Sequence, residues 1–332
     1  MKRVGHLTEQ IASIDNLYLA FIKACRGKQC KKEVKAFRRN FDSNISQIQH
    51  EIMSGCVDVG HYHYFTIHDP KERLICAAPF KERVLHHALM NICHKYFDRS
   101  LIDETFATRP GKGQYKAIDM AVDAFKQYEY VAKIDMRKYF DSISHQILKQ
   151  QLRNKFKDAR LLEVFFQIID SYHTTDGNGL PIGNLTSQYF ANMYLSGLDH
   201  YAKEHLHIPI YIRYMDDILI FAHTKPTLKR MIQQIDIYVN NLQLKMKPPV
   251  VRSAHEGIPF LGYRIMPFYY TLHGRSKRRF RTKLQQYDKL LANGMWSESN
   301  YSEHILPLIA FTKHAICWNF RYSCIQHNLL ET

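Results

Sequence analysis

Three acids carry the chemistry of this sequence. Asp216 and Asp217 are adjacent in Tyr214-Met215-Asp216-Asp217, with β-forming Tyr211 and Ile212 before them and Ile218, Leu219, Ile220 and Phe221 after. Two carboxylates at the tip of a buried hairpin repel each other and resist desolvation unless a cation is present. Hard oxygen donors without a His or Cys cluster nearby suit Mg²⁺, with Mn²⁺ as a substitute. Asp-Asp also occurs in ordinary turns, so a further acid decides the matter. The run Lys133-Ile134-Asp135-Met136-Arg137-Lys138-Tyr139-Phe140-Asp141 sets Asp135 at the end of a strand that leads into a helix. Phosphoryl transfer assisted by two ions needs carboxylates from separate elements, holding the ions about 3.5–4 Å apart. One ion activates the attacking hydroxyl and the other neutralises the departing group. Asp135, Asp216 and Asp217 are therefore the candidate catalytic residues and metal ligands. A helix-cap role for Asp135 would leave the downstream pair unexplained.

Such acids need a sheet to hold them. Residues 130–136 are rich in β-formers and predict a strand, and 208–222 predict a hairpin folded about Asp216-Asp217. Helical spacing marks 7–24, 41–55 (ending at Gly55), 79–97, a stretch up to 126, 144 onward, 161–172, one long helix over 184–206, and 226–244. Residues 57–68 alternate as a hairpin or short strands, 74–78 read as a strand and 258–266 as a strand pair or turn. Residues 109–113 and 174–183 are glycine- and proline-bearing loops. The tail after residue 271 is basic and then helical. No repeat or low-complexity linker separates these pieces, so sub-domains are expected to interleave.

With 332 residues, the chain suits two or three sub-domains sharing a core. The formal net charge is +15, and basic residues concentrate at 26–39 and 275–283, which points to a polyanionic partner. No stretch approaches about twenty apolar residues and no signal-peptide core is present, so the chain is expected to stay soluble inside the cell, with no membrane partner. Seven cysteines at irregular spacing do not form a disulfide framework. Cys25 and Cys30 lack a second pair at zinc-finger spacing. His61 with His63, and His86 with His87, lack third and fourth ligands and are read as packing or solvent-facing.

From about residue 40 to 285 the chain resembles reverse transcriptases, block by block and in order. The blocks are Pro70–Pro79, Thr105–Gly113, the Asp135 segment, Gly179–Gln188, Tyr214–Asp217 and Phe260-Leu261-Gly262-Tyr263. The resemblance implies an α+β, right-hand polymerase fold with fingers, palm and a short helical thumb. It divides the chain into a basic helical extension (1–40), fingers (41–128, with 144–178 interleaved), palm (129–270) and thumb (271–332). It implies RNA-directed DNA synthesis from deoxynucleoside triphosphates on a template RNA, extending a primer into cDNA. Lys71 and Arg73 would contact the incoming triphosphate, and Phe140, five residues after Asp135, would clash with a ribose 2′-hydroxyl. Ile182, Gly183 and Gln188 would line the substrate, and Lys245 or Lys247 would protonate pyrophosphate. Arg275, Lys277, Arg278, Arg279, Arg281 and Lys283 would grip phosphates, the alternative being a solvated helix face.

Most of the family reads Gln-Gly-x-x-x-Ser-Pro where this chain reads Ile182-Gly183-Asn184-Leu185-Thr186-Ser187-Gln188. Ile for Gln and Gln for Pro resembles the reverse transcriptases of bacterial and phage diversity-generating retroelements, which copy template adenines inaccurately. That branch implies a small, basic, oligomeric accessory protein and a location in the bacterial cytoplasm. Group II intron enzymes are the nearest competitor; their maturase region extends further than this sequence does. A polymerase-derived protein that binds nucleic acid without catalysis is the alternative of another class, and the intact acidic blocks speak against it.

Overall fold

The computed structural model describes residues 3–68 and 72–330. The chain forms two compact units, each assembled from several segments: residues 1–110, 136–207 and 233–247 in the first, and 111–135, 208–232 and 248–332 in the second. Both units are therefore discontinuous in sequence.

The first unit is mainly helical. The expected helix over 7–24 is two helices, Thr8–Ile11 and Ile14–Cys25, because the Ser13 hydroxyl turns back to cap the second by accepting from Asn16 N. Helix Phe41–Ser54 ends where Gly55 takes φ 75°, a left-handed conformation that a side chain would resist. Phe21, Phe37, Phe41 and Phe80 pack edge to face and stacked, tying these helices to Phe80–Asp98. Asp158 caps helix Ala159–Asp170 and also accepts from Leu7 N, Thr8 N and Thr8 Oγ1, fastening the N-terminal segment. Strands β1 (His63–Ile67) and β2 (Arg73–Ala77) form a small antiparallel ribbon.

The long helix expected over 184–206 is broken into Leu185–Tyr194, Ser196–His200 and a π-helical turn, Tyr201–His205. Leu195 leaves helical geometry at φ −93° and ψ 0°. Close packing accompanies the break: a Cβ on Gly197 would lie 2.5 Å from the Tyr238 hydroxyl. Periodicity alone carries no signal of such an approach.

The second unit is built on a four-stranded antiparallel sheet in the order β4-β5-β3-β6, where β3 is Tyr130–Asp135, β4 Ile210–Tyr214, β5 Asp217–Ala222 and β6 Val250–Ser253. Ile218 to Phe221 are fully buried, so β5 is covered on both faces. Helix Gln114–Phe125 closes against it, Phe125 meeting Phe221 edge-on at 5.2 Å. Three further strands, β7 (Ile258–Phe260), β8 (Tyr263–Met266) and β9 (Tyr269–Leu272), make a meander. Leu261 and Gly262, both at positive φ, form the tight turn between the first two. The tail folds as helices Gly274–Ala292, Glu298–Lys313 and Trp318–Leu330 around Phe280, Leu284, Ile305 and Cys324. Among the described residues no helix is long and apolar enough to cross a membrane.

Candidate active site

The sheet of the second unit sets two of the predicted acids, Asp135 and Asp217, opposite each other. β3 and β5 pair so that Asp135 stands opposite Asp217, and Lys133 opposite Leu219. Residues opposite each other in an antiparallel ladder share a face, so Lys133, Asp135 and Asp217 lie on one face of the sheet. Tyr214 pairs with Asp217, which makes Met215-Asp216 a two-residue turn. Favoured turns of this length need positive φ at their first central residue, usually a glycine. Met215 supplies it at φ 58°, a strained conformation for a side chain of that size.

Two basic residues that sequence reasoning passed over hold this arrangement. Arg213 is fully buried on β4, and its Nη1 donates to the Met215 carbonyl at 2.9 Å. Lys133 Nζ lies 2.9 Å from Asp217 Oδ1, with the two side chains 19% and 25% exposed. Asp217 Oδ1 is itself buried, and among the described residues no hydrogen-bond donor reaches it in good geometry. Their sequence signal was a lone cation inside an otherwise apolar strand, a pattern ordinarily read as a solvent-facing position.

Two carboxylates opposite each other on adjacent strands, with a buried oxygen of one met by the Lys133 ammonium, suit a hard divalent cation. Among the described residues no group of three or more His, Cys, Asp or Glu side chains is placed to hold a metal ion. Mg²⁺ commonly binds one or two carboxylates and completes its shell with water and substrate phosphates, so the open arrangement fits that ion. At the start of helix Gly274–Ala292, His273 Nδ1 accepts from Arg275 N. Its pKa is lowered by burial first and then by Arg275, Arg264, Lys133 and Arg278, an electropositive setting suited to phosphate.

Lys71 lies outside the described residues. Arg73 opens β2, exposed. Phe140 is half-buried in the turn of helix Tyr139–Ser142, and its carbonyl accepts from Leu180 N at 2.8 Å. Beside it, burial lifts the Asp141 carboxyl above the ordinary range, with Lys138 opposing. The Ile182 carbonyl accepts from Cys76 N at 2.8 Å. Gly183, at φ 121°, approaches β2 so closely that a Cβ would come within 3.1 Å of Ile75 Cγ2. Gln188 is exposed and accepts from Thr108 Oγ1 at 3.4 Å. The first unit thus joins the loop at 179–188 to β2 and to the 105–113 segment. Lys245 and Lys247 flank Met246, which bridges Met136; the Lys245 carbonyl accepts from Arg137 N.

On helix Gly274–Ala292, Arg275, Arg278, Arg279 and Arg281 are exposed, and Lys277 and Lys283 are half-buried. Lys277 and Arg281, one turn apart, lie over the Phe320 ring at 5.7 and 5.3 Å. Those two cations therefore also pack the helical tail. His86 is fully buried with neither ring nitrogen bonded, and burial lowers its pKa to about 3. It packs the core as a neutral ring.

The family description "Reverse transcriptase (RNA-dependent DNA polymerase)" matches residues 67–265. The chain is 19% identical over 251 residues to the COX1/OXI3 intron 2 protein of Saccharomyces cerevisiae, covering 56% of this chain and 29% of that one. It is 23% identical over 141 residues to the group II intron-encoded protein LtrA of Lactococcus lactis, covering 40% and 23% respectively. The matched region thus spans less than a third of either relative. In fold, the chain is similar to apo telomerase of Candida tropicalis truncated from its C-terminal domain, with a TM-score of 0.50, 13% identity, and coverage of 64% of this chain and 55% of that one.

Proposed function

Because this chain belongs to the reverse transcriptase (RNA-dependent DNA polymerase) family, we propose that it synthesises cDNA on a template RNA, extending a primer with deoxynucleoside triphosphates at the acids of the second unit. The observation that carries this reading is Asp135 facing Asp217 across β3 and β5, beside the strained turn that presents Asp216. Asp135, Asp216 and Asp217 would hold Mg²⁺, which supplies activation of the primer hydroxyl and neutralisation of the departing pyrophosphate. By their place in the family's blocks, Lys71 and Arg73 would bind the triphosphate, Phe140 would exclude ribonucleotides, and Lys245 or Lys247 would donate a proton to pyrophosphate. The exposed cations of helix Gly274–Ala292 would grip the duplex through its phosphates. In this assignment residues 41–128 with 144–178 are fingers, 129–270 palm and 271–332 thumb.

We further assign the chain to the diversity-generating branch, working in the bacterial cytoplasm with a small basic accessory protein. Ile182 and Gln188 support this, as departures from the Gln and Pro usual in the family. The test is extension of a primed RNA template by the purified chain, with and without a small basic accessory protein, followed by sequencing of the product. Synthesis with errors concentrated at template adenines supports the assignment. Accurate synthesis removes the branch but keeps the activity, and no metal-dependent synthesis under either condition removes both.

A further inference from the structure

We propose that Lys133 is a positioning residue that sets the divalent-ion affinity of the acid site by competing for Asp217. The inference rests on the reading of these acids as ion ligands. Lys133 and Asp135 are two residues apart on β3 and so project from the same face, and Asp217 lies opposite Asp135. A lysine at such a place could extend its four-carbon arm to water. Instead Nζ meets Asp217 Oδ1 at 2.9 Å, at a site where both side chains are mostly covered. An ion pair so placed is screened less than a surface pair.

The ammonium has two effects there. It offsets the repulsion among neighbouring carboxylates, so the turn folds with no divalent ion bound. It also occupies a carboxylate oxygen that an incoming ion would otherwise take. The site would then bind ions weakly by itself and tightly only when nucleotide phosphates add their own oxygens. Coupling ion capture to nucleotide arrival follows from one side chain.

The test uses the full chain without RNA or nucleotide, with Mn²⁺ binding measured by calorimetry and thermal stability measured with and without Mn²⁺. Lys133→Gln should bind Mn²⁺ a few-fold to about tenfold more tightly. It should also melt lower than wild type without the ion and gain more on its addition. Lys133→Arg, which keeps the charge, should stay near wild type in both measurements. In an Asp217→Asn background, Lys133→Gln should no longer change Mn²⁺ affinity. Unchanged or weaker binding by Lys133→Gln, or equal tightening with Asp217 removed, overturns the proposal while leaving the acids as ligands. Equal Mn²⁺ binding by wild type, Asp135→Asn and Asp216→Asn removes the acids as ligands, and the lysine's role falls with them.

Discussion

The buried guanidinium of Arg213 donates to the carbonyl of Met215, the residue that holds the acidic turn in a left-handed conformation. Arg213 lies on the sheet face opposite Asp217, since it pairs with Ile218. The turn is therefore braced from behind by one residue while Asp217 faces the other way. Arg213→Met keeps the length of the side chain but removes its donors. It should lower unfolding stability by about 1–3 kcal/mol, the usual consequence of leaving a buried polar group unpaired. Urea unfolding of the two proteins checks this, and an unchanged midpoint would mean that the turn holds itself.

Phe140 precedes a carboxyl whose pKa is raised by burial, and its own backbone is fixed by Leu180 N. Phe140→Ala should therefore leave the main chain in place and, on the proposed role, admit ribonucleotides. The ratio of rGTP to dGTP incorporation on one template should rise well beyond tenfold, a barrier change of at least ~1.4 kcal/mol. An unchanged ratio would assign the ring to packing alone.

The basic helix separates into two groups. Arg275, Arg278 and Arg279 are exposed, whereas Lys277 and Arg281 also rest on Phe320. Changing the first three to Gln should weaken binding to any RNA sequence about equally. It should also flatten the log–log salt dependence by roughly 0.7–0.9 for each phosphate that is no longer neutralised. Changing Lys277 and Arg281 should in addition lower the melting temperature. Weakening confined to one RNA sequence would indicate base readout instead.

Ile182 offers no side-chain donor or acceptor at the position that the proposed branch assignment rests on. Its backbone carbonyl is held by Cys76 N, so Ile182→Gln should change the side chain without displacing the loop. One hydrogen bond contributes about 0.5–1.5 kcal/mol net, equivalent to a few-fold to about tenfold in selectivity. Errors at template adenines, which pair through two hydrogen bonds, should fall by that factor, and errors at the other bases should change less. Equal adenine error rates in cDNA sequenced from both variants would remove Ile182 from the account.

The hairpin at Asp216-Asp217 was legible because a continuous run of β-formers surrounds two acids, a conflict that only a fold-level purpose resolves. Asp135 was legible for the same reason. Lys133 was not, because a lysine in a strand ordinarily marks the wet face and only the register shows what it meets. β6 and β9 were missed because each is four residues long and sits at a sheet edge, below the length at which alternation can be read. The break after Tyr194 is accompanied by the close approach of Gly197 and Tyr238, a tertiary fact with no local pattern.

On the proposed reading, Asp135 and Asp217, opposite each other across β3 and β5, act together with Asp216 in the adjoining turn. Asp216→Asn changes one oxygen to nitrogen and should leave the melting temperature and RNA affinity near wild type. The measurement is single-turnover incorporation of one deoxynucleotide on a primed RNA template at saturating Mg²⁺. A fall of more than about a thousandfold, ~4 kcal/mol of lost barrier lowering, is the predicted result. Incorporation within about tenfold of wild type would contradict the account.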